Sequence, residues 1–174
     1  MQIKKVSQIS TKNGDKGNTL DYSNRPFKKN NILFEVLGTI DELSSNLGLA
    51  YHYTKYEEII RIQQTLQQIN SLIATDSNSN KYDSLKKLKI DSINWLENTM
   101  QNVLNEHPLE AKFLLPGSEK SLNGAYIDVC RTVTRRAERR LIELIDLHKR
   151  NDLNLVLSYI NRLSDFLFVL SNNL

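Results

Sequence analysis

Five arginines crowd into ten residues of this chain, Arg131-Thr-Val-Thr-Arg-Arg-Ala-Glu-Arg-Arg140, while apolar residues keep helical spacing through the same stretch. At about 100° per residue, Cys130, Thr134, Ala137, Leu141 and Leu144 fall on one stripe, continued by Ile127 and Ile145. Arg131, Arg135, Glu138 and Arg139 form a row along its border, and Arg136 and Arg140 point to water. A charged row at the edge of a core stripe is half-buried, where each charge needs a partner or a ligand. Solvated charges in i,i+4 pairs would also account for such a helix taken alone.

Three other stretches carry chemistry. In Thr11-Lys-Asn-Gly-Asp-Lys-Gly-Asn-Thr19 two glycines let backbone N–H groups turn toward an anion, with Lys12 and Lys16 adding charge. This is not the G-x-x-x-x-G-K-[ST] phosphate loop, and by itself it is compatible with a plain turn. Asp41-Glu42 sits within an apolar periodic segment and directly follows the core position Ile40, so Asp41 is able to face an arginine. Asn161 and Asp165, in Asn161-Arg-Leu-Ser-Asp165, share the border of another apolar stripe; capping or interhelical hydrogen bonds are the alternative there. His52, His107 and His148 are far apart, which argues against a zinc site, and no resident metal centre is expected. Neither G-x-S-x-G nor G-x-G-x-x-G occurs, so the common hydrolase and dinucleotide-binding patterns are missing.

The elements that must position these residues read as helices. Leu33, Val36, Leu37, Ile40, Leu43, Leu47 and Ala50 predict a helix from about residue 31. Further helices are predicted over about 56–75, 86–106, 121–149 and 152–173. Residues 1–30 show no helical period and are expected to form an ordered loop or short extended arm. Residues 76–83, rich in Ser, Asn, Asp and Lys, read as a surface linker. Only six Gly and three Pro in 174 residues also favour long helices. The expectation is a single all-α domain over 1–174, an antiparallel five-helix bundle. A net charge of +3 suggests no general nucleic-acid role, because the basic residues are local. Apolar runs fall short of the roughly 20 residues of a membrane span. With no apolar leader-like segment, the cytoplasm is the expected compartment. The lone Cys130, on the apolar stripe, reads as a core residue rather than a reactive thiol.

Five segments occur in one order: T-K-N-G-D-K-G-N-T, F-E-V-L-G-T-I-D-E-L-S-S-N-L-G at 34–48, F-L-L-P-G at 113–117, the arginine stretch, and Y-I-N-R-L-S-D-F-L-F at 159–168. Together they closely resemble the propanediol-utilisation type of ATP:cob(I)alamin adenosyltransferase, also called corrinoid adenosyltransferase. The resemblance implies a ferritin-like bundle that assembles as a homotrimer, with ATP and the corrinoid at subunit interfaces. It implies transfer of the 5′-deoxyadenosyl group of ATP to reduced cob(I)alamin, with Mg2+ on the phosphates and with room for a reductase that supplies electrons. A catalytically degenerate relative that binds ATP or corrinoid is the alternative; a helical binding module using the basic helix is a third.

By the same resemblance, Thr11, Lys12, Asn13, Gly14, Thr19 and Lys29 would wrap the phosphates. Arg135, Arg136, Ala137, Glu138, Arg139 and Asn161 would complete the nucleotide site from the helices. Arg131 would pair with Asp41 across the interface, and Phe113 would close the lower face of the corrin ring. The chain also departs from the family. Residues 118–128 run about two residues longer than usual, with Asp128 where a histidine is common, and Asn31-Ile-Leu33 replaces an Asp-Pro-Arg.

Overall fold

A computed structural model describes residues 2–10, 12, 14–112, 115–116 and 121–174. Helix α1 spans Ile32–Thr54 and starts where the Asn31 side chain accepts a hydrogen bond from the Leu33 N–H at 3.0 Å. Such a cap satisfies one of the orphan donors of the first turn. Helix α5, Leu122–His148, is capped in the same way by Ser121, which accepts from the Gly124 N–H at 3.1 Å. Both helices end on a lysine in the left-handed region, Lys55 at φ 56° and Lys149 at φ 54°. Each of these lysines donates its N–H back into the last turn, to Tyr51 and Ile145, and the chain reverses there.

The sharp reversals lay α2 (Glu58–Ile73) antiparallel to α1, and α6 (Asn154–Ser171) antiparallel to α5, the latter after one 3-10 turn at Asn151–Leu153. A short helix α3 (Asn80–Asp83) and the long helix α4 (Ile90–Glu106) lie between the two pairs in sequence. Helix α5 is the centre of the bundle, packed on α1 along one side and α6 along the other. Helix α2 covers α1, and α4 covers α6. One contiguous apolar core joins all of them, with Ile40, Leu43, Leu66, Ile127, Leu141, Tyr159 and Phe166 fully buried. The predicted stripe Ile127, Cys130, Thr134, Ala137, Leu141, Leu144 and Ile145 lies in the buried face of α5, which also takes in Gly124, Asp128 and Val133. Each large aliphatic side chain so placed stabilises the fold by roughly 1.5–3 kcal/mol.

Length and composition alone would let Asn151–Ser171 cross a membrane, contrary to the expectation from sequence. Its burial explains the apolarity. Ile160, Leu163, Phe166 and Leu167 enter the shared core, while Asn161, Arg162 and Asp165 lie on the opposite border.

The N-terminal arm is ordered by a two-stranded antiparallel hairpin, β1 (Asn18–Leu20) on β2 (Pro26–Lys28), with Thr19 opposite Phe27. Asp21 builds its turn. The buried carboxylate accepts from the Ser23 and Arg25 N–H groups, each at 2.8 Å, and from Arg25 Nε at 2.7 Å. The same turn is tied to the end of α2. The Tyr22 N–H donates to the Ala74 carbonyl at 2.8 Å, and Arg25 Nη1 meets the Asp76 carboxylate at 2.8 Å.

Residues 76–83 are more than a surface linker. They contain α3, and Tyr82 is buried. Its phenol donates to Asp152 Oδ2 at 2.6 Å. Asp152 in turn receives Arg150 through Nε at 2.9 Å and Nη2 at 2.9 Å. The Arg150 guanidinium also donates to the carbonyls of Leu72 (2.9 Å) and Ile73 (3.3 Å), closing the C-terminal end of α2. This cluster ties α2, α3 and the α5–α6 turn together.

Candidate active site

Arg131 and Arg135 lie one turn apart on α5. They open into a groove of about 270 Å3 completed by Met100 of α4 and by Ser164, Asp165, Phe168 and Val169 of α6. Arg131 is half-buried and donates from Nε to Asp128 Oδ1 at 2.6 Å, within its own helix. Arg135 is exposed, and among the described residues its guanidinium has no acidic partner. Asp165, the acid in the groove, is already held by Arg162 Nη1 at 2.8 Å. The groove therefore presents one tethered and one free guanidinium, a setting that favours an anion such as a phosphate chain.

The other predicted residues take distinct places. Glu138 is partly buried and accepts from Asn161 Nδ2 at 2.8 Å, an interhelical hydrogen bond of the kind given above as the alternative for Asn161, which joins the arginine stretch to the Asn161–Asp165 segment. Arg139 is exposed rather than half-buried and donates to the Arg135 carbonyl at 3.1 Å. Arg136 is exposed and ion-paired with Glu42 of α1. Ala137 is buried on the inward face of α5, between the flanking arginines. Asp41, about 100° round α1 from Glu42, meets α2 instead of α5. It accepts from Asn70 Nδ2 at 2.8 Å, beside Ser44, Gln63 and Gln67 of a separate groove. Within one chain Asp41 and Arg131 do not pair.

In the glycine loop, Thr11 and Asn13 lie outside the described residues, as does Phe113. Lys12 (φ 60°) and Gly17 (φ 78°) both take the left-handed conformation, and turns close from Gly14 to Gly17. Gly14 lies against the Lys29 side chain, whose ammonium is 2.7 Å from where a Cβ would sit. The Lys29 N–H is fixed by the Gly17 carbonyl at 2.8 Å. Lys12, Lys16, Lys28 and Lys29 are exposed, and none of them makes an ion pair among the described residues. Thr19 points from β1 and is partly buried. Lys28 lines a groove of about 650 Å3 with Arg140, Glu143 and His148, at the far end of α5 from the Arg131–Arg135 groove. One chain thus carries two separated basic surfaces.

Reasoning from sequence named the arginines but not Asp128 as the partner of Arg131, nor Met100, Ser164 and Phe168 as the groove wall. The signal for Asp128 was present: an acid three residues before an arginine on a helix shares its face.

A family model for cobalamin adenosyltransferase matches residues 9–174. This chain belongs to the cobalamin adenosyltransferase family. Among curated relatives of the family, the human corrinoid adenosyltransferase MMAB is 36% identical over 96% of this chain and 68% of its own length. The Bacillus subtilis corrinoid adenosyltransferase is 34% identical, over 92% of this chain and 83% of its own. A solved variant of the PduO-type ATP:corrinoid adenosyltransferase from Lactobacillus reuteri, complexed with cobalamin and ATP, superposes with a TM-score of 0.84. It is 32% identical, and the match covers 95% of this adenosyltransferase-family chain and 92% of the solved one.

Proposed function

We propose that this chain transfers the 5′-deoxyadenosyl group of ATP to the cobalt of reduced cob(I)alamin, releasing triphosphate and adenosylcobalamin. The observation that carries the proposal is the pair Arg131 and Arg135, one tethered and one free, in an α4–α5–α6 groove of a cobalamin adenosyltransferase fold. In the reaction the cobalt electron pair forms the bond to C5′, and the C5′–O bond breaks with its electrons leaving on the triphosphate. The corrinoid substrate is itself the nucleophile, so the protein needs neither a nucleophile nor a general base. It must hold C5′ in line and stabilise charge on the departing phosphates. Arg135 suits the second task, because a free guanidinium strengthens its hold as charge accumulates on the leaving group.

Among the described residues no cluster of three His, Cys, Asp or Glu side chains is placed to hold a metal ion. Mg2+ fits this chain as an ion carried mainly by triphosphate oxygens, where it would neutralise charge. The separation of the glycine loop from the Arg131–Arg135 groove supports a site completed between subunits of a homotrimer. In that assembly the loop of one copy and the helices of the next would share ATP, and Asp41 would approach the Arg131 of a neighbouring copy.

Chemically reduced cobalamin, ATP and Mg2+ incubated with the protein should give the absorption spectrum of a cobalt–carbon product. ATP binding without that spectrum would instead identify a degenerate relative. For assembly, Asp41→Lys should shift the sedimenting species from trimer toward monomer and lower turnover. A trimer of wild-type stability in that variant would remove Asp41 from the interface.

A further inference from the structure

We infer that Asp128 is a positioning residue for Arg131, fixing which edge of that guanidinium is offered to the substrate or to a neighbouring subunit. The inference rests on the adenosyltransferase activity proposed above and adds a residue to it.

The contact is unlike an ordinary surface pair. The Asp128 side chain is 12% exposed and that of Arg131 is 22% exposed, with an N–O distance of 2.6 Å. Exposed i,i+3 pairs on this same helix, such as Arg140 with Glu143 at 3.2 Å, are looser and well solvated. Burial removes the screening that makes surface pairs weak, so the geometry of the pair is enforced. Asp128 takes the Nε side of the fork. Arg131 lines the groove, and with Nε engaged its remaining donors are the terminal Nη1 and Nη2 groups, so an incoming phosphate or carboxylate would meet Arg131 end-on. No other acid competes for the guanidinium among the described residues, because Asp165 is taken by Arg162.

The pairing also divides labour between the two arginines. Asp128 cancels most of the Arg131 charge, so the full positive charge of the groove belongs to Arg135. Arg131 then acts chiefly through direction and Arg135 chiefly through charge. Removing the acid should therefore separate two effects that a merely structural residue would not separate. Turnover should fall because Arg131 loses its orientation. ATP binding should hold or tighten because the groove gains a net positive charge.

The test is a double-mutant cycle on the full-length protein, with kcat and the KM for ATP measured from pre-reduced cobalamin. Asp128→Ala should lower kcat by roughly 10–100-fold, as expected for loss of positioning, with a KM for ATP no higher than wild type. In an Arg131→Lys background the same change should cost less than about threefold further, since coupled residues do not add. If Asp128→Ala does not fold, Asp128→Asn keeps the side-chain volume and should give the same signature at smaller amplitude, at least threefold in kcat. An unchanged kcat, a raised KM for ATP, or losses that multiply across the cycle would overturn the role of Asp128 while leaving wild-type turnover intact. A wild-type protein that makes no cobalt–carbon product would overturn the proposed function and this inference together.

Discussion

Replacing Arg135 with alanine should lower kcat/KM for ATP by about 100–1,000-fold, the cost of about 3–4 kcal/mol seen when a preorganised donor to a developing anion is removed. The guanidinium is exposed, stands in the groove between α5 and α6, and has no acid to satisfy it among the described residues. Its charge is therefore available to the ligand. The same contact would hold the triphosphate before reaction and stabilise it as it leaves, so KM should rise and kcat should fall together. Arg135→Lys should recover part of the loss, because a point charge survives but the planar fork does not. Initial-rate kinetics with varied ATP at saturating cob(I)alamin decide the matter. Wild-type kcat and KM in Arg135→Ala would place the triphosphate elsewhere.

Arg150→Ala should be the most destabilising single change away from the groove, by about 3–5 kcal/mol, the usual cost of deleting one partner of a buried ion pair. It strands the Asp152 carboxylate and the Leu72 and Ile73 carbonyls that Arg150 now satisfies. Against a typical total of about 5–15 kcal/mol, that loss should appear as a melting temperature lower by roughly 10 °C or more. Tyr82→Phe removes a single hydrogen bond to Asp152 and should cost only about 1–2 kcal/mol. Calorimetry of both variants checks the ranking, and near-equal midpoints for Arg150→Ala and wild type would refute it.

The cluster also sets an acid limit. Burial alone would push the Asp152 carboxyl up, but hydrogen bonds from Arg150 and Tyr82 outweigh it and hold the carboxyl below its ordinary value. A carboxyl depressed in the folded state contributes its full stability above the unfolded value, near pH 4. That contribution is lost as pH falls from there through the folded value. Melting temperature should therefore decline on the acid side of about pH 4, and the decline should be shallower in Arg150→Ala.

The long helices were legible because a buried stripe repeats at a fixed period, and most of the inward face of α5 could be listed from spacing alone, with Gly124, Asp128 and Val133 missed at its edges. Helix α3 was not. Ser79, Asn80, Lys81 and Asp83 have the composition of a loop, and Tyr82 is buried only because Arg150 and Asp152, some 70 positions away in sequence, meet it. The hairpin was similarly hidden, since strands of three residues carry no period and Asp21 is a turn-builder whose partners come partly from α2. At the site, the residue types were readable and the pairings were not. Arg131 and Asp41 were expected to meet across subunits; the contacts they make within the chain, to Asp128 and Asn70, were not read from spacing. Spacing ranks candidates on one helix well, but it says nothing about which side chain of another helix arrives first.

Cys130 sits at 0% exposure on the face of α5 that meets the bundle core. Burial pushes its thiol up to about 12, far from the reactive thiolate range near neutrality. A thiol reagent can then modify the protein only when α5 separates from its neighbours. The rate of labelling in native buffer becomes a clock for the opening of the bundle, readable without introducing any probe. Saturating ATP should slow that clock if the nucleotide binds the closed form alone, by the factor set by its concentration over its dissociation constant. Because this is the only cysteine in the chain, every labelled molecule reports the same event at the same helix.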